Sequence, residues 1–179
     1  MFSLGIRYLN GWAMAASDGS KKEVAEWPPH PGRVFMALAA AWFETGQDKQ
    51  EGEALRWLES ISVPPQIAAS GAELRKTVIS YVPINDVALA GKKKIDELKD
   101  NANTQLDDLK AAGLYLLAEY RLRQPRSFPI AIPHNPVVHL IWPVKIPDLH
   151  RLALIDLSRK VTSVGHSASL VQMWLEDRR

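Results

Sequence analysis

The order in which the apolar period switches along the chain is the tightest constraint on its fold. Phe2, Leu4, Ile6 and Tyr8 alternate with Ser3, Gly5 and Arg7, the period of two that a half-buried strand requires. After a loop to Pro29 the period lengthens. Val34, Phe35, Leu38, Ala41 and Trp42 fall three to four apart between Pro31 and Gly46, which predicts a helix with proline in its first turn and glycine past its last. A shorter helix is expected from Glu51 to Ser60, closed by Pro64-Pro65, and then a brief strand over 66–69. Near the end, 136–142 reads as a strand and 146–161 as a helix carrying Leu149, Leu152, Ile155, Leu157 and Val161. A last strand is expected over 170–175. With the middle set aside the order is β, α, β, β, α, β, the α+β arrangement shared by ferredoxin-like folds and RNA recognition motifs.

The middle differs in kind. Residues 77–86 and 121–133 both look extended, and the prolines of the second segment favour edge or polyproline geometry over a central strand. Between them Ile95, Leu98, Ala102, Leu109, Ala112 and Leu116 recur at three and four, with acids on the other sides, so one helix is expected from Ile95 to Leu117. It reads as an insertion carried by a long hairpin over about residues 77–135; a solvated helix packed on the domain is the competing reading.

At 179 residues, 46% apolar and 23% charged, the chain can bury one core without covalent staples and suits a single domain with an insertion. The absence of cysteine excludes disulfides, a thiolate nucleophile and a cysteine-type zinc site, and fits a reducing cytoplasm. No apolar run approaches the roughly 20 residues of a membrane helix, and Met1 is not followed by a signal-peptide pattern. A soluble cytoplasmic protein with no membrane partner is therefore expected. Charge is uneven: residues 1–90 carry 8 Lys/Arg against 10 Asp/Glu, whereas 91–179 carry 14 against 10. Local cation density of this kind is what phosphate binding uses.

Arg121, Arg123 and Arg126 lie on one short segment that includes Gln124 and is flanked by Tyr120 and Phe128. Guanidinium forks bind phosphate, and aromatic rings stack on unpaired bases, so the mixture suits single-stranded RNA. A basic edge strand protected from aggregation is the plainer explanation. Tyr81 would run opposite this segment as a stacking ring, while Asn85 is either a base or phosphate contact or, with Asp86, turn chemistry. Gly165, His166, Ser167 and Ser169 offer backbone amides, an imidazole and hydroxyls to a phosphate, or else form a glycine-ended cap with satisfied serines. Arg7 and Arg33 could reach RNA from the sheet edge. His30, His134, His139 and His150 lack ligand spacing, and no cofactor motif, phosphate loop or nucleophile elbow occurs, so neither a metal nor a cofactor is expected.

Segments 4–12, 26–38, 81–86, 123–129 and 165–169, taken in order, resemble the amino-terminal half of the CRISPR-associated protein of type I-G systems, formerly I-U, in which a Cas-five-like domain is fused to a Cas-six-like one. The resemblance implies an RRM-like domain that binds the 5′ handle of the CRISPR RNA and caps one end of the Cascade surveillance complex. It also implies partners: backbone subunits of the Cas-seven type, met through a hairpin called the thumb, a large subunit and, indirectly, target DNA. Residues 81–86 and 123–129 would flank the thumb and 165–169 would line the RNA groove. The chain ends at Arg179, about where the fused processing domain is expected to begin, so that domain's endonuclease activity is not assigned to this segment. Three functions follow in order of preference: a non-catalytic guide-RNA-binding subunit, a metal-independent ribonuclease using His166 or His30 with Tyr81, and a scaffold that touches only other subunits.

Overall fold

The computed structural model describes residues 1–17, 22–77, 79–83, 92–112 and 123–177, with the side chains of Pro83, Lys92, Lys94, Ile95, Lys110 and Arg123 excepted. In chain order the elements are β1 (Phe2–Tyr8), β2 (Ala13–Met14), α1 (Pro31–Glu44), α2 (Lys49–Ser60), β3 (Gln66–Ala68), β4 (Ala72–Arg75), β5 (Ser80–Pro83), α3 (Lys92–Asp100), α4 (Leu106–Ala111), β6 (Arg123–Arg126), β7 (Ile130–Pro133), β8 (Val137–Trp142), α5 (Asp148–Lys160) and β9 (Val171–Asp177). The chain is a mixed α+β protein with antiparallel sheets, as its periodicity predicts. It divides into two compact units, residues 1–77 with 128–179, and residues 78–127. No helix among the described residues is long and apolar enough to cross a membrane.

The first unit is built on a four-stranded sheet in the order β3-β8-β1-β9. β1 is antiparallel to both β8 and β9, and β3 is antiparallel to β8, so β1 and β3 share one direction and β8 and β9 the other. Each same-direction pair needs a crossover; α1 and α2 lie between β1 and β3, and α5 between β8 and β9. Phe2, Leu4, Ile6 and Tyr8 pack with Val34, Leu38, Leu140, Leu154, Leu157 and Met173 in one core. Central placement also corrects the half-buried reading of β1. Ser3 is 0% exposed and only Arg7 faces water, because flanking strands and Trp174 cover the second face.

α1 and α2 start where their side-chain caps dictate. His30 accepts from the Gly32 amide ahead of Pro31, and Asp48 accepts from Gln50 and Glu51, so α2 begins before the expected Glu51. α5 corrects the apolar face expected for it. Leu149 and Leu152 are 72% and 71% exposed, whereas Ala153, Leu154, Leu157 and Ser158 are buried. At 100° per residue these four share one arc, and the two exposed leucines fall off it.

A second, three-stranded sheet, β2-β7-β4, takes up the chain just beyond β1, β8 and β3. The join is cross-tied: Ser70 Oγ donates to the Asn135 carbonyl at 3.1 Å and accepts from the Asn135 amide at 2.9 Å. Trp27 Nε1 donates to the Ser70 carbonyl at 2.8 Å. At the unit's boundary Thr77 Oγ1 bonds the Phe128 carbonyl at 2.7 Å and the Phe128 amide at 3.2 Å.

In the second unit β5 and β6 pair antiparallel, with Tyr81 opposite Pro125, so Tyr81 does run opposite the basic segment. The expected single helix is two, α3 and α4. The break falls at Asn101–Gln105, where side chains offer the backbone better partners than a continuing helix would. Asn101 Oδ1 accepts from the Asn103 amide, Thr104 Oγ1 donates to the Leu98 carbonyl, and Asp108 caps the Gln105 amide. Leu116 and Leu117 lie outside the described residues.

Candidate nucleic-acid interface

The loop after α5 is held from below by backbone and capped by exposed groups. An isolated bridge pairs Ser163 with Leu170, and the Ser169 amide donates to the His166 carbonyl at 2.8 Å, closing a tight turn. Gly165 sits at φ +90°, and a Cβ there would come within 2.9 Å of the Met14 carbonyl oxygen and 3.1 Å of Ala15 Cβ. Both conformation and contact demand glycine. The residue is not the cap of α5, whose C-cap is Val161.

The candidate residues in this loop divide into supports and presented groups. Ser169 is 0% exposed; its Oγ accepts from the Met14 amide at 2.8 Å and donates to the Met14 carbonyl at 3.3 Å, so it clamps the loop to β2. The His166 amide donates to the same carbonyl at 3.0 Å. Gly165, His166 and Ser167 are exposed. His166 Nδ1 accepts from the Ala168 amide at 3.1 Å and does not engage Ser167. That bond leaves Nε2 to carry the ring proton in the neutral form. Half-buried Phe128 meets the imidazole edge-on, with centroids 5.4 Å apart at 78°.

Arg33 is committed to structure. Its Nε and Nη2 donate to the two Glu26 carboxylate oxygens at 2.8 and 2.9 Å, and Nη2 also reaches the Ala16 carbonyl at 3.2 Å. Glu26 further accepts from the His30 amide at 2.9 Å. Burial pushes the Glu26 carboxyl upward, but the Arg33 and His30 hydrogen bonds and the Arg33 charge outweigh it and hold the group below its ordinary range. Beside it, burial first and the Glu26 charge second push the Tyr8 phenol well above its ordinary value, against the pull of Arg33. This cluster fixes the 15–17 segment on which the glycine loop rests. Arg7 is exposed at the end of β1, opposite Val137 and Gln172, and makes no ion pair among the described residues.

In the second unit the strand pair sets Ser80 against Arg126, Tyr81 against Pro125, Val82 against Gln124 and Pro83 against Arg123. Tyr81 is 63% exposed; Gln124 and Arg126 are exposed, and Arg126 makes no ion pair among the described residues. Asn85 and Arg121 lie outside the described residues, as does the Arg123 side chain.

Sequence reasoning missed the supports: Met14, which holds the glycine loop through main-chain atoms that leave no mark on residue type, and Thr77, whose hydroxyl ties β4's exit to Phe128. Among the described residues no group of three or more acids and histidines could hold a metal ion. No curated protein matches the chain. A family model, however, matches residues 5–176, almost the whole length. The chain belongs to the CRISPR-associated protein, GSU0054 family, and with it to CRISPR-Cas defence.

Proposed function

We propose that the protein is the guide-RNA 5′-handle-binding subunit that caps and helps assemble a type I-G Cascade complex in the cytoplasm, with residues 1–179 as one RRM-like Cas-five-type domain and its thumb over about residues 77–135. The observation that carries this reading is the β5–β6 strand pair, which presents a guanidinium (Arg126) unpaired among the described residues and an amide (Gln124) on one face and an exposed ring (Tyr81) on the other. Cations and rings exposed at such density serve a polyanion with unpaired bases. The exposed Gly165–Ser167 stretch supplies a second contact, steadied by Ser169, and Arg33 acts through Glu26 as a support. The strand order β3-β8-β1-β9, with its two helical crossovers, supports a ferredoxin-like description of the body. Cas-seven-type backbone subunits, a large subunit and, indirectly, target DNA are the partners of this reading, and RNA cleavage is left to another domain.

The test is binding of single-stranded RNA at graded salt. Each phosphate contact contributes about −0.7 to the slope of log affinity against log salt for single strands. Arg126→Ala should weaken binding evenly across sequences and flatten that slope by roughly one such contact; a slope near zero in the wild type would leave scaffolding as the function. Exposed His166 favours a metal-independent ribonuclease as the second reading. Cleavage of repeat RNA in chelator, abolished by His166→Ala, would replace the binding reading with that one.

A further inference from the structure

The sheet of the first unit has a second face, turned away from the helices, with an ordered row of side chains. Along β1 and β9 the facing pairs are Arg7 with Gln172, Gly5 with Trp174, and Ser3 with Glu176. The Trp174 indole lies across Gly5: a Cβ there would come within 2.2 Å of its ring. Two further contacts fix the ring. Its Nε1 donates to the Glu176 carboxylate, and the His139 imidazole from β8 stands edge-on to it at 5.9 Å and 87°. His139 Nδ1 is itself 3.8 Å from Glu176 Oε2. Trp174 is nonetheless only half-buried, and one ladder step away Arg7 and Gln172 are exposed.

An aromatic ring already fixed in place has little rotamer freedom left to lose, so a planar ligand stacking on it meets a small entropic cost. The neighbouring step, about 7 Å along the strand, holds a cation and an amide and no carboxylate. The acid, Glu176, lies on the opposite side of the indole, where the Trp174 and His139 rings engage it. The row therefore runs from cation through ring to acid, which fits a nucleotide with its phosphate toward Arg7 and its base over Trp174.

We infer that the face of β1 and β9 is a base-stacking seat for one unpaired nucleotide of RNA, with Trp174 as the platform and Arg7 and Gln172 on its phosphate. The seat rests on the RNA-binding reading and extends it to a surface composed of other residues than the glycine loop and the β5–β6 pair. A tryptophan that merely covered a glycine would matter to stability and not to the identity of the ligand.

The full chain is titrated with labelled oligoadenylate RNA and with an abasic ribose-phosphate chain of equal length and charge. Trp174→Leu should weaken oligoadenylate binding by about 5- to 150-fold, the range for loss of one base–aromatic stack, and leave the abasic chain unaffected. Trp174→Phe should keep most of the affinity, and Arg7→Ala should weaken both ligands. Should the leucine variant fail to fold, the 19F resonance of 5-fluorotryptophan at position 174 should shift with oligoadenylate and stay still with the abasic chain. An unchanged preference in Trp174→Leu, or an unmoved resonance, while Arg126→Ala still weakens both ligands, refutes the seat and spares the RNA-binding reading. Wild-type protein that holds neither ligand refutes both.

Discussion

The ion pair between α2 and α5 yields an asymmetric prediction. Glu51 lies in the first turn of α2 with its side chain 6% exposed, and Oε1 is 2.6 Å from Nζ of Lys160, the last residue of α5, whose side chain is 32% exposed. The other carboxylate oxygen, Oε2, is buried without a hydrogen-bond partner among the described residues. Removing one member of a fully buried pair costs about 3–5 kcal/mol, because the other charge is left stranded. Lys160 already reaches water, and that exposure screens part of the interaction. For Lys160→Met, which strands Glu51, we expect a loss of about 2–3 kcal/mol, a fall in Tm of about 4–12 °C for a chain this long. Glu51→Leu should cost under about 1 kcal/mol, since the lysine can turn its charge into solvent. The double variant should return to within about 1 kcal/mol of wild type. Urea unfolding of the four proteins measures all three values. Equal losses in the two single variants, or a double variant as weak as their sum, would refute the reasoning.

Two further outcomes concern the glycine loop and its support. Gly165→Ala should cost about 1–2 kcal/mol for the left-handed backbone and weaken RNA binding as the Cβ lifts the loop from the Met14 carbonyl, measured by denaturation and titration together; a silent substitution would mean the loop is not anchored as described. The depressed Glu26 carboxyl contributes stability that is fully present above its ordinary value of 4.5 and is lost as pH falls through its lower folded value. Glu26→Gln should therefore flatten the acid limb of the urea midpoint against pH, and an unchanged limb would place the acid sensitivity elsewhere.

The sequence made the core strands legible wherever period and burial agree. β8 alternates in burial along its whole length, and its expected span of 136–142 lies within a residue of Val137–Trp142. Period misled where a strand is covered twice: Ser3 is fully buried and Gly5 lies beneath Trp174, and small residues covered from distant parts of the chain look the same as solvent-facing ones. It misled again on α5, where exposed leucines imitated a core stripe that smaller residues, Ala153 and Ser158, complete. The α3–α4 break was hidden because Asn101 and Thr104 end a helix through side-chain bonds that an apolar period does not register. In the candidate interface residue type identified the exposed groups, Tyr81, Arg126 and His166. It could not separate Arg7 from Arg33: both are arginines near strand or helix ends, and only the position of Glu26 makes one a brace.

The tie between Ser70 and Asn135 and the hydroxyl clamp from Thr77 to Phe128 fasten the same two outgoing chains at successive points. Alignment of the sheets is thus decided by bonds made on the near side of the 78–127 excursion. Such a body sets its own strand alignment, through hydrogen bonds that belong to the first unit alone.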